Sequence, residues 1–173
     1  HRKYVRHFCF KAHLFKQGLM HDISKYNPVE FVESVRYFVG TSSPIDACKK
    51  ANGVSYAWMH HKGRNPHHYE YWQDNFDRGG TPVMMPYKYA VEMLCDYLAA
   101  GRAYMGDKFT YKGELEWWYK KRKNCAMHLH TKWFISIALE DLWQQEREGC
   151  SQIILGDLNL HAMWLTATAK WDE

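Results

Sequence analysis

Apolar residues recur at intervals of three and four along most of the chain, the spacing that paints one face of an α-helix. Over residues 3–16, Val5, Phe8, Cys9 and Ala12 share a face, with Lys and Arg opposite. A second short helix is predicted from Phe15 to about Ser24. Asn27-Pro28-Val29-Glu30 reads as a helix start: Asn27 caps, Pro28 suits the first position, and Glu30 stands where a capping box takes a carboxylate. The helix that follows is predicted to run to about Val39 and to bury Phe31, Val35 and Phe38, before Gly40 and the loop Thr41-Ser42-Ser43-Pro44. Shorter helical pieces are predicted at Ile45–Lys50 and Tyr56–Lys62, and Gly63-Arg64-Asn65-Pro66 breaks the chain again.

Asp74 to Pro86 is the longest irregular stretch. Beyond it the pattern predicts helices at Tyr87 to about Tyr104, Gly113–Lys123, Thr131–Arg147 and Leu158–Lys170. The third-and-fourth spacing sets Ala90, Met93, Leu94, Tyr97 and Leu98 on one side of the first of these. No strand-like alternation persists beyond a few residues, and no internal repeat is visible. The expected fold is all-α, one compact domain over residues 1–173.

Composition narrows the class. Of 173 residues, 46% are hydrophobic and 24% charged, so the chain can bury a core. The net charge of +4 permits anionic ligands without arguing for nucleic acid. No uncharged apolar run approaches the roughly 18–20 residues of a membrane helix, and no signal-peptide apolar segment opens the chain. It opens on His1 rather than Met, which predicts a trimmed natural N-terminus. Five scattered cysteines, none in a C-x-x-C pair, fit a reducing cytoplasm better than a disulfide scaffold or thiolate zinc site.

The histidines are the outlier: eight of eleven fall within the first 68 residues. His21 and Asp22 are adjacent, and side chains about 100° apart at a helix end can reach one metal ion. His60, His61, His67 and His68 follow in a second cluster. Asp96 then stands amid Met93-Leu94-Cys95 and Tyr97-Leu98, where an unpartnered carboxylate would be costly. Bland readings are a helix-end polar pair, surface histidines and a salt-bridged Asp; their coincidence favours metal. His128, His130 and His161 lack companions at ligand spacing and read as structural or surface residues.

The order His, His-Asp, further His, then a distant Asp resembles the HD superfamily of metal-dependent phosphohydrolases. His21-Asp22-Ile23-Ser24-Lys25 also resembles the signature of its cyclic-dinucleotide phosphodiesterase branch. Closer still, residues 1–110 resemble an uncharacterised bacterial and phage family known only as a domain of unknown function. Its marks are His21-Asp22-Ile23-Ser24-Lys25-Tyr26, Pro28-Val29-Glu30-Phe31, His61-Lys62-Gly63-Arg64-Asn65-Pro66-His67-His68-Tyr69-Glu70-Tyr71-Trp72, and Met85-Pro86 leading into Glu92-Met93-Leu94-Cys95-Asp96. The resemblance weakens from about residue 120, which leaves 111–173 as a helical extension of the motif-bearing part.

The superfamily pattern implies His1, His21, Asp22 and Asp96 at a first metal, with His61 and one or both of His67 and His68 at a second, bridged by Asp22. His7 or His13 could replace His1, and His60 could replace His61. Nitrogen and carboxylate donors suit one or two ions of Fe, Mn, Co, Ni or Zn. The implied activity is hydrolysis of a small phosphorylated molecule, a nucleotide or cyclic nucleotide, with Asp22, Lys25 and Arg64 catalytic and Lys25, Lys62, Arg64 and Asn65 binding substrate. Glu70 and Glu92 are expected to orient ligand imidazoles, and Tyr69 or Tyr71 to line a nucleobase pocket. Two alternatives stay open: a di-iron oxygenase of the HD-like type, and a non-catalytic, metal-stabilised nucleotide-binding module. Lys120-Lys121-Arg122-Lys123 reads as a solvated helix end rather than a nucleic-acid patch, and Trp117-Trp118-Tyr119 as core or a homodimer face.

Overall fold

A computed structural model describes residues 1–40 and 42–171, so Thr41, expected in a loop, lies outside the described residues. The described residues form nine α-helices and one two-residue ladder, an all-α fold. Helix α1 (Arg2–Lys11) ends before His13, which takes φ 59°, and α2 (Phe15–Met20) folds back against it. Gly18 permits that approach: a Cβ there would lie 3.0 Å from the Cβ of Cys9. The helices predicted over 3–16 and 15–24 are therefore shorter than their apolar spacing suggested.

A 3-10 turn (Ile23–Tyr26) leads to α3 (Pro28–Arg36), where Asn27 Oδ1 accepts from Val29 N at 3.0 Å as a cap should. Helix α4 (Pro44–Asn52) ends at Gly53 with φ 74°, and α5 (Tyr56–Lys62) starts at Ser55, whose Oγ accepts from Trp58 N. The irregular stretch holds β1 (Gln73–Asp74) and β2 (Thr81–Pro82), antiparallel, with Gln73 opposite Pro82. Helices α6 (Tyr87–Met105), α7 (Tyr111–Lys121), α8 (Leu129–Arg147) and α9 (Asp157–Trp171) complete the chain.

Helix α6 runs through the core. Val5, Phe8 and Cys9 of α1 pack with its Leu94, Leu98 and Ala99, and Trp118, Phe134, Leu139 and Leu160 come from α7, α8 and α9. The last three helices thus bury into the same cluster as α6. Trp118 meets its one polar need inside the core by donating Nε1–H to Ser136 Oγ at 2.9 Å.

Helix α3 reverses the sequence expectation. Phe31, Val35 and Phe38, predicted to be buried, are 54%, 62% and 70% exposed, and Phe38 lies beyond the helix end. Its buried residue is Glu30. The cause is that the acidic side of α3 is needed within. Glu33 accepts from the backbone N–H of Tyr56 and Ala57 and from Ser55, capping α5 from outside that helix. Glu30 reaches two histidines, and it does not serve the capping box expected of it.

Candidate metal centre

Segments distant in sequence converge between the end of α2, the end of α5 and the middle of α6. Helix α2 stops at Met20 and Asp22 takes φ 56°, a left-handed backbone that the short polar Asp side chain tolerates. His21 and Asp22 therefore occupy a kink, not successive positions of a continuing helix, and the kink turns both inward; each is 2% exposed.

His61 lies in the last turn of α5, where the chain breaks into the loop carrying His67 and His68. Asn65 Nδ2 holds that loop by donating to His61 O at 2.8 Å and to Ser24 Oγ at 2.7 Å. The Trp72 indole donates to Pro66 O at 2.6 Å and fixes its far side. Glu92 and Asp96 stand four residues apart on α6, one helical turn.

The outer partners orient the imidazoles. His21 Nδ1 donates to Glu92 Oε1 at 3.0 Å, and His67 Nδ1 lies 3.2 Å from the same oxygen. Glu30 takes His60 Nδ1 on one oxygen at 2.6 Å and His61 Nδ1 on the other at 2.7 Å. An imidazole that donates through Nδ1 presents a lone pair at Nε2, the arrangement of metal-ligating histidines.

Those lone pairs face other lone pairs. His21 Nε2 lies 3.4 Å from Asp22 Oδ2 and 3.2 Å from Asp96 Oδ1. His61 Nε2 and His67 Nε2 are each 3.3 Å from Asp22 Oδ1, whereas His1 Nε2 donates to Asp96 Oδ1 at 2.8 Å. Yet the Nε2 atoms of His21, His67 and His68, and Asp22 Oδ1, are buried without a hydrogen-bond partner. Short distances without bond geometry mean that these atoms converge on shared points. Asp22, His61, His67 and His68 form one set of donors within 4.8 Å of one another, His1, His21 and Asp22 a second, and His21, His67 and Glu92 a third. Asp22 belongs to the first two.

The electrostatics call for positive charge at those points. Burial opposes charge on His21 and His67, but the carboxylates of Asp22, Asp96 and Glu92 prevail and lift His21 to about 12; Asp22 and Glu92 lift His67 to about 9. Burial likewise opposes ionisation of the acids. The neighbouring histidines, His21 foremost, still hold Asp96 down to about 2 and, with Lys25, Asp22 well below its ordinary range. His68 goes the other way: burial and the neighbouring His67 push it down, so it stays neutral as a ligand must. Protons supply part of the missing charge; divalent cations, held by nitrogen and carboxylate donors with the core thiols of Cys9 and Cys95 elsewhere, would supply all of it.

A cleft of about 490 Å³ opens onto these atoms, lined by His1, Asp22, Lys25, His61, His68 and Asp96 among others. Lys25 Nζ lies 2.6 Å from Asp22 Oδ2. The structure thus brings His1, His21, Asp22, His61, His67, His68, Asp96 and Lys25 together. His60 pairs with Glu30 outside these donor sets, His7 lines a different surface hollow with Lys3, and His13 is exposed in its turn. Asn65 is buried against Ser24 and His61; Arg64 is exposed, and neither it, Asn65 nor Lys62 lines the cleft. Glu70 neighbours Tyr69 rather than the imidazoles. Glu30 was missed as an imidazole partner. The signal available was that His61 needs an acceptor for Nδ1, and Glu30 is the acid nearest the His21-Asp22 pair.

Residues 1–141 match the family of unknown function DUF5662. The chain belongs to that family. Its matched span covers every residue of the centre and runs on through α7 into α8, further than the 110 residues over which the sequence resemblance was expected to be specific. No curated protein and no solved structure matches the chain. Among the described residues no helix is long and apolar enough to cross a membrane.

Proposed function

We propose that this DUF5662 chain is a metal-dependent phosphohydrolase of the HD type, acting on a small phosphorylated molecule of the nucleotide or cyclic-nucleotide class. The observation that carries the reading is the pair of donor sets sharing Asp22, with buried Nε2 atoms that lack hydrogen-bond partners and open onto a cleft. His1, His21, Asp22 and Asp96 would hold one ion, and Asp22, His61, His67 and His68 a second. When bound, such ions supply Lewis acidity toward a phosphoryl oxygen and a deprotonated water at neutral pH.

The chain's own residues do the rest. Glu92 and Glu30 hold the tautomers of His21 and His61 so that Nε2 faces inward. Lys25, on the cleft wall beside Asp22, meets an anionic phosphate oxygen as a point charge. The hydroxyls of Ser34 and Ser43, which also line the cleft, offer donors to the same group. Arg64 and Lys62 lie outside that lining, so the phosphate role rests on Lys25.

Metal content, measured beside phosphate release from a nucleotide panel, tests the proposal. Wild type is expected to carry one or two transition-metal ions and to release phosphate. Asp22→Ala is expected to lose both, with the helical circular dichroism retained; Asp22→Asn, which tolerates the left-handed backbone, checks that charge and not strain is responsible. Activity retained in both variants sinks the assignment. A coloured protein that consumes O₂ without releasing phosphate replaces it with an oxygenase, and tight nucleotide binding without turnover replaces it with a binding module.

A further inference from the structure

A second cavity, of about 330 Å³, lies where α6 meets α7. Its walls are aromatic, from Tyr97, Tyr104, Phe109 and Trp117, and Glu114 lies among them although only 7% exposed. The Glu114 carboxylate rests against the backbone of α6: a Cβ added at Gly101 would fall 2.2 Å from Oε2. Glycine at that position is what lets an acid occupy the floor of an apolar pocket. Burial pushes the acid up to about 7 against the through-space pull of Lys121, and Lys108 lines the same cavity. The Lys121 Nζ itself lies 4.8 Å and 4.9 Å from the ring centroids of Tyr97 and Trp117. A buried carboxylate with no donor is costly, and an aromatic surround attracts cations through its ring faces.

We propose that this cavity binds a small planar organic monocation, an amidinium or guanidinium head, with Glu114 as its counter-ion. Two parallel N–H groups on such a head match the two carboxylate oxygens, and Tyr104 and Phe109, beside the two rings that Lys121 already covers, supply aromatic surface for its faces. An anion would meet Glu114 unfavourably, and a neutral apolar guest would leave the carboxylate unpaired. The site does not depend on the metal centre, although Ala100 and Tyr104 line both cavities and make them neighbours along α6.

Benzamidine titrated into the full, chelator-treated chain near pH 8, followed by calorimetry and tryptophan fluorescence, provides the test. One saturable site is expected, weakened about tenfold or more in Glu114→Gln and several-fold in Tyr104→Ala, whose exposed side chain can be removed without harm to the fold. Benzyl alcohol, the neutral ring of similar size, is expected to bind about tenfold more weakly than benzamidine. Equal benzamidine affinity in wild type and folded Glu114→Gln overturns the proposal, as does benzyl alcohol binding as tightly or no saturation by about 10 mM. If Glu114→Gln fails to fold, unchanged affinity in Tyr104→Ala overturns it instead.

Discussion

The α3–α5 segment and the α6–α9 helices hold together by different physics. In α6–α9 the apolar stripe of each helix faces inward, and Leu94, Leu98, Trp118, Phe134 and Leu139 are shielded from water. In α3–α5 the apolar stripe of α3 faces out, and the side turned inward carries Glu30 and Glu33. None of the buried core cluster comes from α3, α4 or α5. Inside that segment Glu30 holds His60 and His61, and what ties it to the rest is polar too: His61 reaches Ser24 through Nδ1 and Asp22 through Nε2, and Asn65, just past α5, bonds Ser24. A helix follows its apolar pattern when burial is its main source of stability. It can turn against that pattern when buried charges need its carboxylates more.

The largest effect expected from this contrast is in the core. Leu94→Ala on α6 should cost about 2–5 kcal/mol in chemical denaturation, whereas Phe38→Ser, removing a larger side chain after α3, should stay within about 0.5 kcal/mol. Similar losses at both sites would show that the outward apolar face is covered in solution.

Acids divide along the same lines. Asp96 is held down by its histidine partners, so its contribution persists until the pH falls through about 2. Glu114, buried without a partner, sits at about 7 against an ordinary 4.5. A raised acid keeps a proton that the unfolded chain has released, so stability falls as pH climbs from 4.5 toward about 7. Glu114→Gln should therefore match wild type near pH 4 and exceed it by about 3 kcal/mol near pH 8. Thermal melts across that range decide it; parallel curves for the two proteins would mean that Glu114 has found a partner.

The smallest effect expected concerns the polar tie itself. Manganese loading, compared with chelation, should slow amide exchange about tenfold in α5 and in the 23–26 turn, while α8 stays unchanged. Equal slowing in α8 would mean that the two regions open as one unit.

Much of this was legible along the chain. The helical pattern is local physics, a spacing of apolar residues, and the positions of α5, α6 and α8 follow from it to within a few residues. His21-Asp22 and the His60–His68 cluster stood out through the crowding of histidines early in the chain, and Asp96 because it broke an apolar stretch. His61 is favoured over His60 in the sequence only by its spacing to His67-His68 in the family block, since neighbours on one helix otherwise have equal local claim. The fold adds that His61 Nε2 lies against Asp22, while Glu30 takes the Nδ1 of both histidines. The fold likewise brings His1, and not His7, to 2.8 Å from Asp96.

By itself, then, the sequence determined the helices, the core face of α6 and the residue types able to gather at a metal. Only the tertiary structure decided the orientation of α3, the part Glu30 plays, and the enclosure of Glu114 against Gly101. Each of those depends on a partner from a distant segment, and a carboxylate turns toward the donor or cation that offsets its burial wherever the fold places it.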